Sequence, residues 1–299
     1  MKDISASFVA VFVCCVLNAQ SVPSLLIPSD AVAMGRAGAV VASAPGAFSM
    51  EYNPAMSSFY EGHLSAQASY GMWQSGASGN SLINVGATGK IGERFSLGAG
   101  GKYFTYPSYT ITDGNGIPRQ VDGLFSPKEM SFLLGASYRV ADCLGIGVNA
   151  RFATSTLAPD AKANVFAGDV ALAYCRRGLR AGISVCNLGS KAKYGENSYN
   201  IPTYARAGVS YSIVGITLQA EADYLFSGAV MAAACAEYWW KEYVGVRVGY
   251  HYGDPVKAIP QYFSLGLGGQ FKGVQLDFAW LLGNGIFRNT FAVNLGYRF

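Results

Sequence analysis

Residues 244–252 read Val244-Gly245-Val246-Arg247-Val248-Gly249-Tyr250-His251-Tyr252. The even-numbered positions are all aliphatic or aromatic, and the odd-numbered ones are glycine, arginine and histidine. A period of two is the signature of a β-strand, and Arg247 adds a constraint, because it sets a full charge at mid-strand directly opposite an unbroken apolar face. A transmembrane barrel strand has this pattern, apolar towards lipid and polar towards the lumen.

The same alternation extends in both directions. Apolar sets at Leu64/Ala66/Ala68/Tyr70/Met72, Phe132/Leu134/Ala136/Tyr138/Val140, Leu144/Ile146/Val148/Ala150/Phe152, Leu218/Ala220/Ala222/Tyr224 and Phe291/Val293/Leu295/Tyr297/Phe299 belong to stretches of about ten residues, the length a tilted strand needs to cross a bilayer. Between residues 62 and 299 the count is fourteen strands. Lys102, Arg139, Arg151, Asp169, Arg180, Arg206, Glu221, Asp223, Glu237, Arg247, Asp277 and Arg298 all fall opposite the apolar set. A lipid-facing Arg or Lys would cost about 2–4 kcal/mol at the bilayer midplane, so this one-sidedness favours a membrane barrel over a soluble sandwich.

Connections alternate in the way outer-membrane barrels require, short on the periplasmic rim and longer outside. Tight turns fall near Ile91-Gly92-Glu93, Ala141-Asp142-Cys143, Arg176-Arg177-Gly178, Ile213 to Gly215, Lys241-Glu242 and Lys272-Gly273. Longer polar loops fall at Pro107 to Pro127, Ala158 to Lys162, Gly189 to Thr203, Gly253 to Gln261 and Gly283 to Thr290. Both ends of the barrel then lie on the short-turn side, which makes both termini periplasmic. Tyr138, Tyr174, Tyr211, Tyr238 and Trp240 suit one interfacial girdle, and Tyr103, Tyr204, Tyr224, Tyr252 and Trp280 the other.

Composition agrees. Of 299 residues, 51% are hydrophobic and only 13% charged, against about 25% charged in an ordinary soluble chain. Mean hydropathy is +0.22, which excludes a chain disordered for want of apolar residues. The 22 basic and 18 acidic residues are dispersed, without the clustered basic face that nucleic-acid binding needs. The one apolar run, Phe8 to Leu17, follows Lys2 and ends at Asn18-Ala19-Gln20-Ser21. It is far short of a spanning helix and reads as a signal peptide over residues 1–21. After its removal four cysteines remain, Cys143, Cys175, Cys186 and Cys235, with no zinc or redox spacing.

Residues 22–61 precede the barrel, are rich in Ala, Gly, Ser and Pro, and lack strand alternation. Fourteen strands enclose more space than side chains fill, so this segment is expected to fold into the lumen as a plug. The inward charges Arg139, Arg151, Asp169, Arg180, Arg206, Glu221, Asp223, Glu237, Arg247 and Asp277 carry both signs, which suggests a paired network bracing wall and plug. Enzyme signatures are absent. His63 and His251 stand apart as polar strand-end residues, and Gly98-Ala99-Gly100-Gly101-Lys102 lacks the first glycine and the final Ser or Thr of a phosphate loop. No cofactor or metal is implied.

Asp30-Ala31-Val32-Ala33-Met34-Gly35-Arg36-Ala37-Gly38, followed by Tyr52-Asn53-Pro54-Ala55, resembles the N-terminal signature of FadL-like outer-membrane proteins and within them the PorV/PorQ family of Bacteroidota. Asn187-Leu188-Gly189, Arg206-Ala207-Gly208, Ala236-Glu237-Tyr238, Val246-Arg247-Val248-Gly249-Tyr250 and Leu276-Asp277-Phe278-Ala279-Trp280 continue the likeness. The resemblance implies a fourteen-stranded barrel in the cell outer membrane, with a plug motif at Gly35, Gly38, Asn53 and Pro54. It also implies an accessory role in type IX secretion, with secretion subunits or sorting-domain cargo as partners. The alternative is a FadL-like transporter for hydrophobic small molecules, whose ligand site Leu25-Leu26-Ile27 could line. Phe299, two residues after Tyr297, is similar to the terminal signal read by the barrel assembly machinery. Membrane lipid is the remaining expected partner.

Overall fold

A computed structural model describes residues 20–73, 80–111, 124–283, 287 and 290–299. The proposed leader lies almost wholly outside them, as do parts of the loops at 107–127 and 283–290. Fourteen antiparallel strands close into one barrel: β1 Leu64–Trp73, β2 Asn80–Ile91, β3 Phe95–Thr105, β4 Lys128–Ala141, β5 Leu144–Ala158, β6 Ala161–Arg176, β7 Leu179–Gly189, β8 Tyr204–Ile213, β9 Ile216–Leu225, β10 Ala229–Trp240, β11 Val244–Gly253, β12 Tyr262–Phe271, β13 Val274–Gly283 and β14 Thr290–Arg298. Each strand pairs with its neighbours in sequence, and β1 meets β14 from Ser65 opposite Arg298 to Met72 opposite Phe291. No edge is left to aggregate.

The two faces separate as the alternation requires. Leu134 is 70% exposed and Phe166 68%, while Lys102, Arg151, Asp169, Glu237, Arg247 and Asp277 are buried on the other side of the wall. Tyr204 departs from the expected girdle: it shares the inward register with Arg206, is buried, and has the Arg206 guanidinium 4.7 Å from its ring centre.

All six short turns form where expected. The Lys241-Glu242 turn has two consecutive residues with positive φ, and so do the two-residue turns Arg177-Gly178, Val214-Gly215 and Lys272-Gly273, in which the second is glycine. This is the type I′ geometry that matches strand twist, and glycine takes the second position without a steric cost. The opposite rim is less regular than the sequence suggests. Residues 158–162 form no long loop, since β5 and β6 run on to a tight turn at Pro159-Asp160. Alternation simply persists there, with Ala153 and Ser155 inward and buried, and the hairpin outruns the roughly 9–11 residues that span the bilayer. The loop at 189–203 carries a small hairpin, Ala192–Tyr194 with Asn197–Tyr199.

Residues 20–61 lie inside this ring. Two short helices, α1 Ala31–Gly35 and α2 Ser49–Tyr52, and 3-10 turns at Pro23–Leu25 and Pro54–Phe59 give the segment its only regular structure. Asp30 caps α1 through the Ala33 amide, one of the donors a helix start leaves free. Gly38, at φ +87, bends the chain away after α1 and returns its amide to the Ala33 carbonyl. Segment atoms then hydrogen-bond with Asn84, Ser96, Ser137, Asn149, Ser210, Glu221, Glu237, His251, Ser264 and Asn294, on strands all round the barrel.

Candidate functional site: the filled lumen

Three ionic clusters join the segment to the wall. In the first, Glu51 of α2 sits between Lys102 of β3 (3.1 Å) and Arg151 of β5 (3.0 Å), and Arg151 continues to Asp169 of β6 (3.6 Å). A bulge places Asp169: Cys186 and Asn187 of β7 both stand opposite it, Asn187 has φ +56, and its freed amide donates to the Asp169 carboxylate at 2.6 Å. In the second, Glu221 of β9 accepts from the Val40 and Val41 amides, both at 2.6 Å, with Arg206 of β8 beside Glu221 and Asp223. In the third, Arg36 holds Glu237 of β10 at 2.7 Å, Glu237 meets Arg247 of β11, and Arg247 reaches Asp277 of β13 at 2.9 Å.

The ten expected wall charges therefore divide. Eight fall into these clusters, and Arg139 and Arg180 have no carboxylate within 4 Å among the described residues. Arg139 donates to the Ser58 and Glu93 carbonyls and lies over the Phe59 ring. Arg180 bonds only neutral oxygens. Sequence reasoning missed the segment's own half of the network, Asp30, Arg36 and Glu51, and also Glu129 of β4, which accepts from the Ser24 amide and the Tyr106 hydroxyl. Isolated charges in a stretch of small residues were the available signal.

Burial alone would push the Glu51 carboxyl up, but Arg151 and Lys102 beside it bring it down to about 2. Burial raises Asp30, against the bonds from Tyr52 and Ala33 that hold it down. The signs are opposite. Docking stability from Glu51 is fully present above its ordinary value of 4.5 and is lost as pH falls towards 2. That from Asp30 is present below its ordinary 3.8 and is lost as pH rises through the raised value. Protease resistance of residues 22–61 is expected to fall between pH 4.5 and 2 more steeply in the wild type than in Glu51→Gln; equal acid profiles for the two would refute this assignment.

The plug-motif residues act as spacers and staples. The Asn53 side chain donates to the Val41 and Leu172 carbonyls and accepts from the Ala55 amide, and Pro54 opens the 3-10 turn that follows. Gly35 meets Gly266 so closely that a Cβ on it would lie 3.2 Å from the Gly266 Cα. His251, expected as a polar strand-end residue, is instead buried, stacked on Tyr262 with centroids 4.9 Å apart and bonded to the Ala37 carbonyl. Leu25, Leu26 and Ile27 do border an internal cavity, shared with Arg206, Asp223 and His251, but its volume is about 30 Å³. That is room for about one water, not for a hydrophobic ligand. Tyr297 and Phe299 both face outward at the barrel end, rings 4.5 Å apart, and Phe299 ties its amide to Leu64. The four described cysteines are free.

The family model described as "Type IX secretion system protein PorV" matches residues 16–220, more than half of the chain. The chain belongs to the PorV family. Its outer-membrane barrel fold recurs in the Ralstonia pickettii toluene transporter TbuX (TM-score 0.67, 14% identity, covering 92% of this chain and 99% of that one). It recurs also in the P. putida toluene transporter TodX (0.64, 13%, 92% and 99%) and a Pseudomonas aeruginosa FadL homologue (0.62, 12%, 91% and 99%). At such identities the likeness is one of fold. Among curated proteins none matches this sequence. Family and fold together place the chain in the outer membrane, among transport and secretion components.

Proposed function

We propose that this PorV-family barrel is an accessory component of type IX protein secretion that works through its rims while its lumen stays closed by residues 22–61. The family match over residues 16–220 carries the reading, and the 30 Å³ left beside Leu25 to Ile27 agrees with a closed lumen. In this reading residues 1–21 are removed on export, residues 62–299 form the barrel, and both termini face the periplasm beside the short turns. Tyr297 and Phe299 present the assembly signal, and the apolar outer face meets lipid. Translocon or attachment subunits, or cargo with a sorting domain, are the partners.

Deleting the gene is expected to abolish surface display of sorting-domain cargo, and the tagged protein is expected to bring secretion subunits with it from solubilised outer membranes. Unchanged display together with an eluate free of such subunits would sink the proposal. A second reading, uptake of hydrophobic molecules, draws on the fold shared with the toluene transporters. It requires the deletion to slow uptake of a hydrocarbon or fatty acid.

A further inference from the structure

A cavity of about 430 Å³ opens on the short-turn rim, between segment residues 43–49 and the wall, with the Val214-Gly215 turn and Glu242 at its mouth. Not all of its charges are in ion pairs. Asp30 faces it but is held by the Ala33 amide, the Tyr52 hydroxyl and the Asn294 side chain. Glu237 is shared by Arg36 and Arg247, and Arg247 is also satisfied by Asp277. At the mouth Glu242 and Arg298 are exposed and opposite in sign. Arg180 is left over.

Its guanidinium donates to Ser212 Oγ at 2.8 Å, Ser210 Oγ at 3.2 Å and the Ala42 carbonyl at 3.3 Å, all neutral. These bonds fix the group against the cavity wall without cancelling its charge. An arginine fork held this way suits an oxyanion, which it can grip with two parallel bonds. Gln67, Gln270 and Ser43 add neutral polar groups to the wall, and Trp239 supplies one flat apolar side.

We propose that this vestibule is an oxyanion site, taking a carboxylate or phosphate presented from the short-turn side, with Arg180 as its charge partner. The site does not depend on the secretion reading. Binding is tested on the full-length protein in detergent by calorimetry and by tryptophan fluorescence. The probes are inorganic phosphate, a short peptide with a free C-terminal carboxylate, and the same peptide amidated.

Saturable binding with a Kd below about 10 mM is expected for at least one anionic probe and not for the amide, a modest affinity in keeping with a single open-site charge. Arg180→Gln, whose Nε2 falls where the arginine Nε lies and can still donate to Ser210 and the Ala42 carbonyl, is expected to keep the wild-type melting temperature and weaken binding at least tenfold. Trp239→Phe should remove the fluorescence change while the heat of binding remains. Saturation by phosphate identifies a free anion as sufficient, and saturation by the peptide acid alone identifies a polypeptide terminus. No saturable binding of either anion, or an Arg180→Gln titration that overlays the wild type, overturns the site.

Discussion

Glu51→Gln is expected to undock residues 22–61 from a barrel that itself stays closed. Glu51 is the shared counter-ion of Lys102 and Arg151, both buried in the wall and within 3.1 Å of it. The amide keeps the shape and loses the charge, so two cations remain in the lumen with one ion pair within 4 Å among the described residues, Arg151 to Asp169 at 3.6 Å. Removing one partner from a buried ionic group costs about 3–5 kcal/mol, because it leaves a charge buried without compensation. Strand pairing is untouched by the change, since each strand keeps both neighbours. Limited proteolysis should therefore cut the segment at least a hundredfold faster, while the barrel keeps its heat-modifiable mobility on gels. Restoring local neutrality with Lys102→Met in the same chain, which leaves Arg151 paired with Asp169, should recover part of the resistance. Equal cutting rates for wild type and Glu51→Gln would show that the cluster does not hold the segment.

Gly147→Val is expected to be comparably disruptive for a steric reason. A Cβ there would lie 2.5 Å from the Pro54 carbonyl carbon and 2.8 Å from the Ala55 Cα. Both are backbone, in a turn already pinned by Asn53 and by the Ser57–Ser137 hydroxyl bond, so no side-chain rotation relieves the clash. Overpacking of this kind costs about 1–3 kcal/mol where neighbours can adjust, and here the upper end applies. Gly101, on the outward face of β3, is the control. A Cβ on it meets only Val85 and Phe132 side chains at 3.4 Å and beyond, so Gly101→Ala should melt and resist protease like the wild type. The glycine assignment fails if Gly147→Val does the same.

These two residues show what could be read from sequence and what could not. Strand number, the lipid face and the inward register of the charges were legible because period two is local and a misplaced charge is costly. Pairs across a short turn were legible in principle: Arg206 faces Asp223 about Val214-Gly215, and Glu237 faces Arg247 about the Lys241-Glu242 turn. Arg247 to Asp277 was not, because the contact passes over β12. It exists because Gly266 and Gly268 leave the guanidinium room, a Cβ on Gly268 falling 3.0 Å from both terminal nitrogens. The path of residues 22–61 was not legible either. An aperiodic segment takes its conformation from the cavity it fills, and only its Asn-Pro turn and its helix cap at Asp30 are encoded locally. The turn at Pro159-Asp160 escaped for the opposite reason, since polar alternation outside the bilayer resembles a loop when lipid is the assumed environment.

The seam between β1 and β14 unites the two ends of the barrel sequence, the pairing with the greatest separation and so the slowest to find. Both margins of that seam touch one short helix. Asp30 and the Ala31 amide bind Asn294 of β14, and the Met34 methyl lies 3.6 Å from where a Cβ on Gly71 of β1 would stand. Residues 30–35 thus form a clasp across the two strands that close the ring: seating them adds contacts to the seam that is slowest to find, while the other docking points can open with the ring still closed.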